Sequence, residues 1–571
     1  MIYGLIKKNT YQDSVNLMLL SSKLSDLEGV NRVSIMMGTP ANKKIFENTG
    51  MYSKEFEDAS PNDICIAVDT DKEELVDHVA EELNTFIKEL SVKSGGINLI
   101  TTRTLDGAFN NLPDANLALI SLPGEYVYNE VNRLLDKNIN TFIFSDNVSV
   151  EDERKLKEKA HSKGLLVMGP DCGTGIISNI PLAFANVIPK GNIGIVGASG
   201  TGIQEVTSII GRNGGGISHA IGIGGRDLSE EIGGISAIDA LELLNKDEDT
   251  DVIVFISKPP AATVKNKVVE KFRAMNKKVV AIFLGDKPET QEENVKYVWT
   301  LEEAAYHALM ISKTAVNYKK NIEKIIEKLD VIKNNSKERK LHGYYGGGTL
   351  AGEAAILLRD HFNIKDSGTK EGYMFNFEGH EIIDFGDDKY TKGRPHPMID
   401  PGTRIDAISK LMDRDDVAVV LFDNVLGYGS NTDMAESLAP SIKKVIKHKK
   451  AQNKEIVFIA SVCGTESDIQ TYSSQVKKLE DAGVLVLKTN AEAVFTAIEA
   501  LKYIESNTKT DLSNIEKETL LNSELKVINI GLESFADTIL KHEGKVVQYN
   551  WAPIAGGDKK IQSLLDKLNS L

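Results

Sequence analysis

The segment Lys190–Val206, KGNIGIVGASGTGIQEV, decides the expected fold. Its apolar run Ile193–Val196 predicts a buried strand, Gly197–Gly202 a tight turn, and the residues from Ile203 onward a helix. This order leaves the first backbone N–H groups of the helix unpaired, and the helix dipole adds about half a positive charge there. Glycine suits the turn because a Cβ atom would block an approaching anion. We therefore predict a phosphate or carboxylate site formed by three residues, Ser199, Gly200 and Thr201.

The same order of features returns later in the chain. The run Leu341–Tyr345 leads into a glycine-rich turn, and a helix is predicted from about Leu350. Further on, RIDAI at 404–408 repeats AIDAL at 237–241, and an acidic turn and an apolar strand follow each copy. We interpret this recurrence as a domain duplication whose second copy carries an insertion of about twenty residues. The second predicted anion site comprises Gly347, Gly348 and Thr349.

Neither turn is a P-loop, because no Gly-Lys-Ser/Thr follows at the required spacing. A tight turn with threonine as a helix cap is the alternative for each copy. Apolar strands that alternate with helices predict an α/β fold whose parallel sheets are covered on both faces. The 571 residues exceed what one hydrophobic core organises. The predicted divisions are a small α/β domain (1–96), a second α/β domain (97–188), a third (189–316), a helical linker (317–340), a fourth domain (341–510), and a linker with a docking tail (511–571).

Composition excludes several classes of protein. A formal net charge of −15 disfavours nucleic-acid binding, which depends on Lys and Arg contacts to phosphate. No run of 18 or more apolar residues predicts a membrane span. The three cysteines form no CxxC pair and follow no secretory signal, which is typical of a reduced cytoplasmic protein. No spacing of acidic, histidine or cysteine residues predicts a metal site.

Several motifs resemble one known group of proteins. The stretch 191–206, with IGIGGRDLS at 221–229 and ISAIDALELL at 235–244, resembles the ligase domain of succinyl-CoA synthetase α subunits. Residues 114–146 and 164–177 are similar to the CoA-binding half of that subunit. The inserted GHEIIDFGDDKYTKGRPHPMIDP at 379–401 and DNVLGYGSNTD at 423–433 resemble the FdrA family. The resemblance covers about residues 30–560 and implies a Rossmann-like CoA-binding-type domain (97–188) and two flavodoxin-like ligase-type domains.

The chain departs from the resembled ligases at one catalytic feature. Those enzymes relay phosphate through a histidine after the strand predicted here at Val279–Leu284, where this chain has GDKP at 285–288. The next histidine is His307, and His219 precedes a strand at a position that does not match. A carboxylate or a lysine cannot carry a phosphoryl group in place of an imidazole in the same geometry. Because the ATP-grasp module and the early nucleotide turn are also not evident, a stand-alone ATP-driven acyl-CoA synthetase is disfavoured.

The FdrA resemblance implies a subunit of a multi-subunit carbamoyltransferase in allantoin breakdown. That enzyme would convert oxalurate and phosphate into oxamate and carbamoyl phosphate. We therefore expect small anionic substrates and other subunits of a hetero-oligomeric complex as partners, with neither nucleic acid nor a membrane among them. No cofactor is fixed by the residues themselves, and CoA or a nucleotide stays open as a ligand. The alternatives are an NDP-forming acyl-CoA synthetase subunit and a non-catalytic anion or CoA sensor.

Within this hypothesis, Arg394 and His396 are the expected catalytic side chains. Arg394 offers a planar fork for a carboxylate or a phosphate. His396, between two prolines, can donate to a carbonyl oxygen or move a proton. The alternative is that both only fix the insertion to its own domain. Four polar residues at strand ends form a second tier of candidates, for which a structural role is the alternative: Arg226, Asp227, Asn424 and Tyr428.

Overall fold

The computed structural model describes residues 1–10, 12, 14–25, 27–93, 100–314, 340–365, 371–392, 394–505, 524–530 and 532–549. The chain divides into two units, Met1–Ser506 and Asn507–Leu571. Within the described residues, no helix is long and apolar enough to cross a lipid bilayer. The predicted helical linker, apart from Lys340, and the tail motif WAPIAGGD at 551–558 lie outside the described residues.

The N-terminal domain is a three-stranded antiparallel sheet with the order β1-β3-β2 and helices on both faces. Successive strand residues point to opposite faces, so β3 buries Ile66 in the core formed with α1 and α3, and Cys65 beside α2. The elements are β1 (Ile2–Lys7), α1 (Ser14–Ser25), β2 (Val30–Met37), α2 (Pro40–Asn48), β3 (Ile64–Thr70) and α3 (Glu74–Lys93).

The second domain contains a parallel sheet of three short strands in the order β4-β5-β6. The apolar runs predicted from the sequence form these strands. Two apolar clusters bury them, one that contains Val131 and Ile143 and another that contains Phe142. The elements are α4 (Leu105–Asn111), β4 (Leu117–Ile120), α5 (Gly124–Asp136), β5 (Asn140–Ile143), α6 (Val150–Ser162) and β6 (Val167–Met168).

The third domain contains a seven-stranded sheet with the order β13-β12-β11-β9-β10-β7-β8. The hairpin of β7 and β8 precedes residue 189, yet it joins this sheet because β7 pairs with β10. The elements are β7 (Thr174–Ile177), β8 (Ile180–Ala183), β9 (Lys190–Gly197), α7 (Gly200–Arg212), β10 (Ile217–Gly222), α8 (Ile235–Lys246), β11 (Val252–Ser257), α9 (Ala262–Arg273), β12 (Lys278–Phe283), β13 (Val295–Tyr297) and α10 (Leu301–Ile311).

The fourth domain contains a six-stranded sheet with the order β15-β16-β14-β17-β18-β19. The insertion is partly regular structure, since it supplies β15 and β16, and β16 pairs with the turn strand β14. The elements are β14 (Lys340–Tyr345), α11 (Gly348–Phe362), β15 (Tyr373–Phe377), β16 (His380–Asp384), α12 (Asp388–Thr391), α13 (Gly402–Lys410), β17 (Val417–Val425), α14 (Met434–Ala451), β18 (Val457–Cys463), α15 (Tyr472–Asp481), β19 (Leu485–Leu487) and α16 (Asn490–Glu505).

The two large sheets have the same internal order. β13-β12-β11-β9-β10 corresponds to β19-β18-β17-β14-β16, with the turn strands β9 and β14 in equivalent places. This match supports the duplication inferred from the sequence. A single apolar cluster joins the two domains, since it contains Val206 of α7, Leu309 of α10, Ala354 of α11 and Val494 of α16.

The C-terminal unit contains two parallel strands, β20 (Lys526–Ile530) and β21 (Lys545–Tyr549), with helix α17 (Glu533–Lys541) between them in the chain. Ala536 of the helix is buried.

Candidate functional site

The two glycine-rich turns meet where helices α7 and α11 begin. Ser199 caps α7, because its Oγ accepts a hydrogen bond from the Gly202 N–H at 3.0 Å. The hydroxyls of Ser199 and Thr349 are hydrogen-bonded to each other. The Thr349 N–H donates to Thr201 Oγ1 at 3.3 Å. The sequence-predicted residues of both copies therefore form one site, which we name the helix-end site.

Two positive helix ends that face each other favour a negative charge between them. The first N–H groups of a helix have no acceptor within the helix. Among the described residues, no acceptor is found for the N–H groups of Gly200, Thr201 and Gly348. All three residues are partly exposed to solvent. These three amides are consequently open to a ligand.

The prediction is corrected at Gly347, because a carboxylate of the chain itself occupies that turn. Asp423 accepts from the N–H of Gly346 at 2.7 Å and from the N–H of Gly347 at 2.6 Å. The buried Arg404 donates to the Asp423 carboxylate at 3.1 Å and to its backbone carbonyl at 2.6 Å. The second turn is thus filled from inside, and its Thr349 amide is also used.

The first turn, unlike the second, lies beside a buried polar atom that has no hydrogen-bond partner. Thr174, 2% exposed, has a side-chain Oγ1 atom with no hydrogen-bond partner among the described residues. This oxygen lies 3.1 Å from the position that a Cβ atom on Gly200 would take. A buried polar atom without a partner costs about 1–3 kcal/mol. The first turn therefore keeps two open amides next to a buried hydroxyl without a partner.

Asp384, at the end of β16, lies against the start of α11. Its Oδ2 is 2.6 Å from the position of a Cβ on Gly348. Burial raises the pKa of this carboxyl to about 7, and the charge of Asp423 adds to the rise, while the N–H of Gly386, at 2.8 Å, opposes it. Asp384 can therefore exchange a proton near neutral pH.

His396 faces Asp384 across Gly386. Its Nδ1 accepts from the Met398 N–H at 3.2 Å, so a neutral ring carries its proton on Nε2. A Cβ on Gly386 would lie 2.8 Å from Nε2 and 3.0 Å from Asp384 Oδ1. Burial and the charge of Arg404 lower the pKa of His396 to about 4. The ring is therefore a neutral N–H donor at pH 7.

Arg394 lies at the solvent side of the insertion and is exposed. Burial lowers the pKa of Arg32, on β2, and the charge of Arg394 lowers it further. Because the two charges interact, the guanidinium of Arg32 in the N-terminal domain lies near the insertion. Neither arginine makes an ion pair with another described residue. The structure therefore brings His396 close to the carboxyl group of Asp384, whereas Arg394 is exposed.

Among the second-tier candidates, Arg226, Asp227 and Asn424 make hydrogen bonds within the fold, whereas the side chain of Tyr428 is exposed. Asp227 accepts from the N–H groups of Ser236 and Ala237, at 3.1 and 2.9 Å, and from the buried Lys157 at 2.7 Å. The Arg226 side chain donates to a backbone carbonyl at 2.8 Å. Asn424 is buried, with its Nδ2 bonded to a glutamine at 3.1 Å. Tyr428 is exposed, and its backbone N–H bonds to Ala185.

Sequence reasoning missed Lys258. It directly follows β11, is exposed, and makes no ion pair with another described residue. Its charge opposes the rise in pKa that burial causes at the carboxyl groups of both Asp171 and Asp384, so it lies near both. The signal was present in the sequence, since a lysine at the carboxyl end of a central parallel strand lies where such folds bind ligands.

Comparison with known proteins identifies the family. The chain is 38% identical to the uncharacterized protein YahF of Escherichia coli (strain K12) over 511 residues, which is 86% of this chain and 97% of YahF. The chain belongs to the YahF family. Three domain families also match: "AllF, heavy metal-associated domain" at residues 1–99, "CoA binding domain" at 189–285, and "CoA-ligase" at 344–500.

More distant proteins match parts of this YahF-family chain. The α subunit 2 of an ADP-forming succinate–CoA ligase of Archaeoglobus fulgidus is 28% identical over 177 residues, 30% of this chain and 60% of that subunit. The solved ATP citrate lyase of Methanothrix soehngenii, in complex with citrate and coenzyme A, is 11% identical, with a TM-score of 0.31 and coverage of 71% of this chain and 84% of the lyase chain. The CoA-binding match falls on the third domain, one domain later than the sequence resemblance implied.

The N-terminal residues do not fit a heavy-metal ion. Such sites use soft ligands, above all thiolates. Cys65 is the one cysteine of residues 1–99, and burial raises the pKa of its thiol to about 11. Among the described residues, no group of three or more His, Cys, Asp or Glu side chains is placed to hold a metal. By contrast, the open amides at the start of α7 are groups that favour a phosphate or a carboxylate.

Proposed function

We propose that this YahF-family chain is a carbamoyltransferase subunit that binds phosphate and oxalurate and yields carbamoyl phosphate and oxamate. One observation carries the proposal: the amides of Gly200 and Thr201 have no acceptor among the described residues, and the unpartnered hydroxyl of Thr174 lies beside Gly200. The match to the AllF domain fits a protein of allantoin breakdown. The resemblance of residues 379–401 and 423–433 to the FdrA family points to the same reaction.

In the proposed reaction, a phosphate oxygen attacks the ureido carbonyl carbon of oxalurate. The new O–C bond forms, the bond between that carbon and the oxamate nitrogen breaks, and the nitrogen takes a proton. Asp384 is suited to supply the proton because its pKa is about 7. The Nε2–H of His396 and the N–H of Gly348 are donors for the oxyanion. Lys258 attracts the two anionic substrates to the site.

A glycine substitution tests the phosphate position. Gly200→Ala places a Cβ where the anion binds and 3.1 Å from Thr174 Oγ1, so we expect carbamoyl phosphate formation by the complex to fall about 100-fold, the scale of losing a site donor. The matched control is Gly352→Ala on α11, where a Cβ meets nothing within 4 Å. Equal activity of both variants would overturn the proposed phosphate position.

A second candidate function is a CoA ligase, because the CoA-ligase family matches residues 344–500 and the curated succinate–CoA ligase subunit matches in part. It requires a phosphate carrier from a partner, since GDKP stands at 285–288 where the resembled ligases have histidine. Radiolabelled ATP separates the two functions. Stable phosphorylation of the complex, with succinyl-CoA formation, would favour the ligase, whereas carbamoyl phosphate formed from oxalurate and phosphate without ATP would favour the carbamoyltransferase.

A further inference from the structure

The parallel strands β20 and β21 of the C-terminal unit carry apolar side chains that the other described residues leave uncovered. Two register pairs form this row: Ile528 with Val547, and Ile530 with Tyr549. Because side chains alternate along a strand, all four point to the same face of the sheet. Their exposed fractions are 71, 67, 61 and 51% in that order. We name these four residues the bare sheet face.

Helix α17 covers the opposite face of the same two strands. It contacts both strands and buries Ala536. The strand residues that alternate with the bare sheet face, among them Val527 and Asn529, are partly or fully buried. Parallel sheets in proteins ordinarily have both faces covered. Within the described part of the C-terminal unit, one face of this sheet therefore has its cover and the other does not.

The sequence that follows β21 contains a segment of matching character. Residues 561–571, IQSLLDKLNSL, lie outside the described residues. Isoleucine or leucine stands at 561, 564, 565, 568 and 571, which is the spacing of one helix face, and every residue between them is polar. A helix of that length spans about 16 Å, and a strand of five residues, such as β20 or β21, also spans about 16 Å. The segment thus matches the bare sheet face in length and in apolar character.

The connection keeps this segment near the sheet. Residues 550–560 join Tyr549 to Ile561 and include Gly556 and Gly557. A connection of that length spans at most about 36–40 Å when fully extended. A short flexible tether gives the tethered segment an effective concentration in the millimolar range. The chain's own segment is therefore favoured over that of a second molecule in micromolar solution.

We propose that residues 561–571 dock as an amphipathic helix on the bare sheet face of the same chain. The docked helix places its leucines against Ile528 and Val547 and leaves Asp566 and Lys567 in solvent. This contact is independent of the proposed carbamoyl transfer, because no residue of the helix-end site takes part in it.

Cross-linking within the full-length protein tests the contact. Val547→Cys with Leu565→Cys places a thiol on each proposed partner, and the native cysteines are buried. We expect a short bismaleimide to join this pair within one chain. The control is Phe535→Cys with Leu565→Cys, at an exposed apolar residue of α17, where no link is expected. No link in the first pair, equal yields in the two pairs, or links only between chains would overturn the proposal.

Substitutions in the segment give the second arm, measured by hydrogen–deuterium exchange of the full-length protein. Leu564→Ser with Leu568→Ser should accelerate exchange of the amides of residues 545–549 at least about tenfold, because burying even one leucine side chain contributes more than a factor of ten. Asp566→Ser with Lys567→Ser changes the polar side and is the matched control, with unchanged exchange expected. Peptides from β14 verify that the rest of each variant is folded. Unchanged exchange in the leucine variant would refute the docking.

Discussion

Asp384 and His396 have opposite protonation tendencies although they face each other across Gly386. The carboxyl of Asp384 has a pKa of about 7, raised by burial, and the imidazole of His396 has one of about 4, lowered by burial. Burial disfavours whichever form is charged, so it moves the two pKa values in opposite directions from their ordinary values. At neutral pH the pair consequently contains a neutral imidazole and a carboxyl group that is partly protonated.

Substituting Asp384 tests its role as the proton donor. Asp384→Asn keeps an oxygen for the Gly386 N–H but removes the ionisable proton. We expect carbamoyl phosphate formation to drop by about 10²–10⁴-fold, the usual contribution of a positioned acid. The limb of the pH–rate profile near pH 7 should disappear with it, while phosphate binding persists. A profile identical to that of the parent would exclude Asp384 as the donor.

The Asp423–Arg404 pair predicts a large stability effect. Asp423→Ala leaves the guanidinium of Arg404, which is 1% exposed, without its counter-ion. We expect the free energy of unfolding, measured by urea denaturation, to fall by about 3–5 kcal/mol. The exposed pair of Arg154 and Glu158 is the control, because Glu158→Ala should cost less than about 1 kcal/mol. Similar losses in the two variants would contradict the assignment.

The sequence predicted the residues of the first turn in the helix-end site, but not the contact that fills the second turn. Ser199, Gly200 and Thr201 follow a strand and precede a helix, and local pattern alone establishes that order. Asp423 lies more than seventy residues beyond Gly347, at the end of another strand, and no local pattern indicates that its carboxylate turns back into the second site. The geometry of that contact depends on the tertiary arrangement of β14 and β17.

At the scale of single elements, helices α7 and α11 repeat one motif. Gly200-Thr201 and Gly348-Thr349 are each followed, four residues after the threonine, by a buried glutamate, Glu205 or Glu353. Asn490 joins the two, because its backbone N–H donates to Glu205 at 2.9 Å and its Nδ2 donates to Glu353 at 2.8 Å. The repeated helices are thus linked by carboxyl groups inside the protein as well as by hydroxyl groups at their ends.

Glu353 predicts a pH dependence of stability. Burial raises the pKa of its carboxyl from 4.5 to about 7 in the folded protein. Its stabilising contribution is therefore full below about pH 4.5 and is lost as the pH rises through 7. The free energy of unfolding of the parent should fall between about pH 5 and pH 8. In Glu353→Gln this fall should be smaller, by an amount on the order of 1–3 kcal/mol. Glu151→Gln, at an exposed carboxylate, is the control and should leave the slope unchanged.

Element boundaries were less predictable than element types. The strands of the third and fourth domains follow from continuous apolar runs, but β7 and β8 join the sheet of the third domain although they were assigned to the second. Strand pairing such as Ala220 with Ile176 joins residues far apart in sequence, and local periodicity does not encode it. The same applies to β15 and β16, which the sequence indicated only as an insertion.

At the scale of the molecule, the third and fourth domains share one core, whereas the N-terminal domain has its own. Residues 1–93, expressed alone, should fold cooperatively, with dispersed amide signals in an NMR spectrum. Residues 189–316 alone should not, because α7 and α10 would expose the apolar side that α11 and α16 cover. A cooperative thermal transition of the 189–316 fragment would contradict the shared core.

The filling of one turn by Asp423 has a consequence for stoichiometry. Duplication of a binding element ordinarily doubles the number of ligands, but here one copy is permanently neutralised by a side chain of the same polypeptide. Phosphate should thus saturate the helix-end site at a single equivalent per chain. The second copy would then act as a rigid support that holds the Gly348 N–H towards the phosphate bound at the first copy.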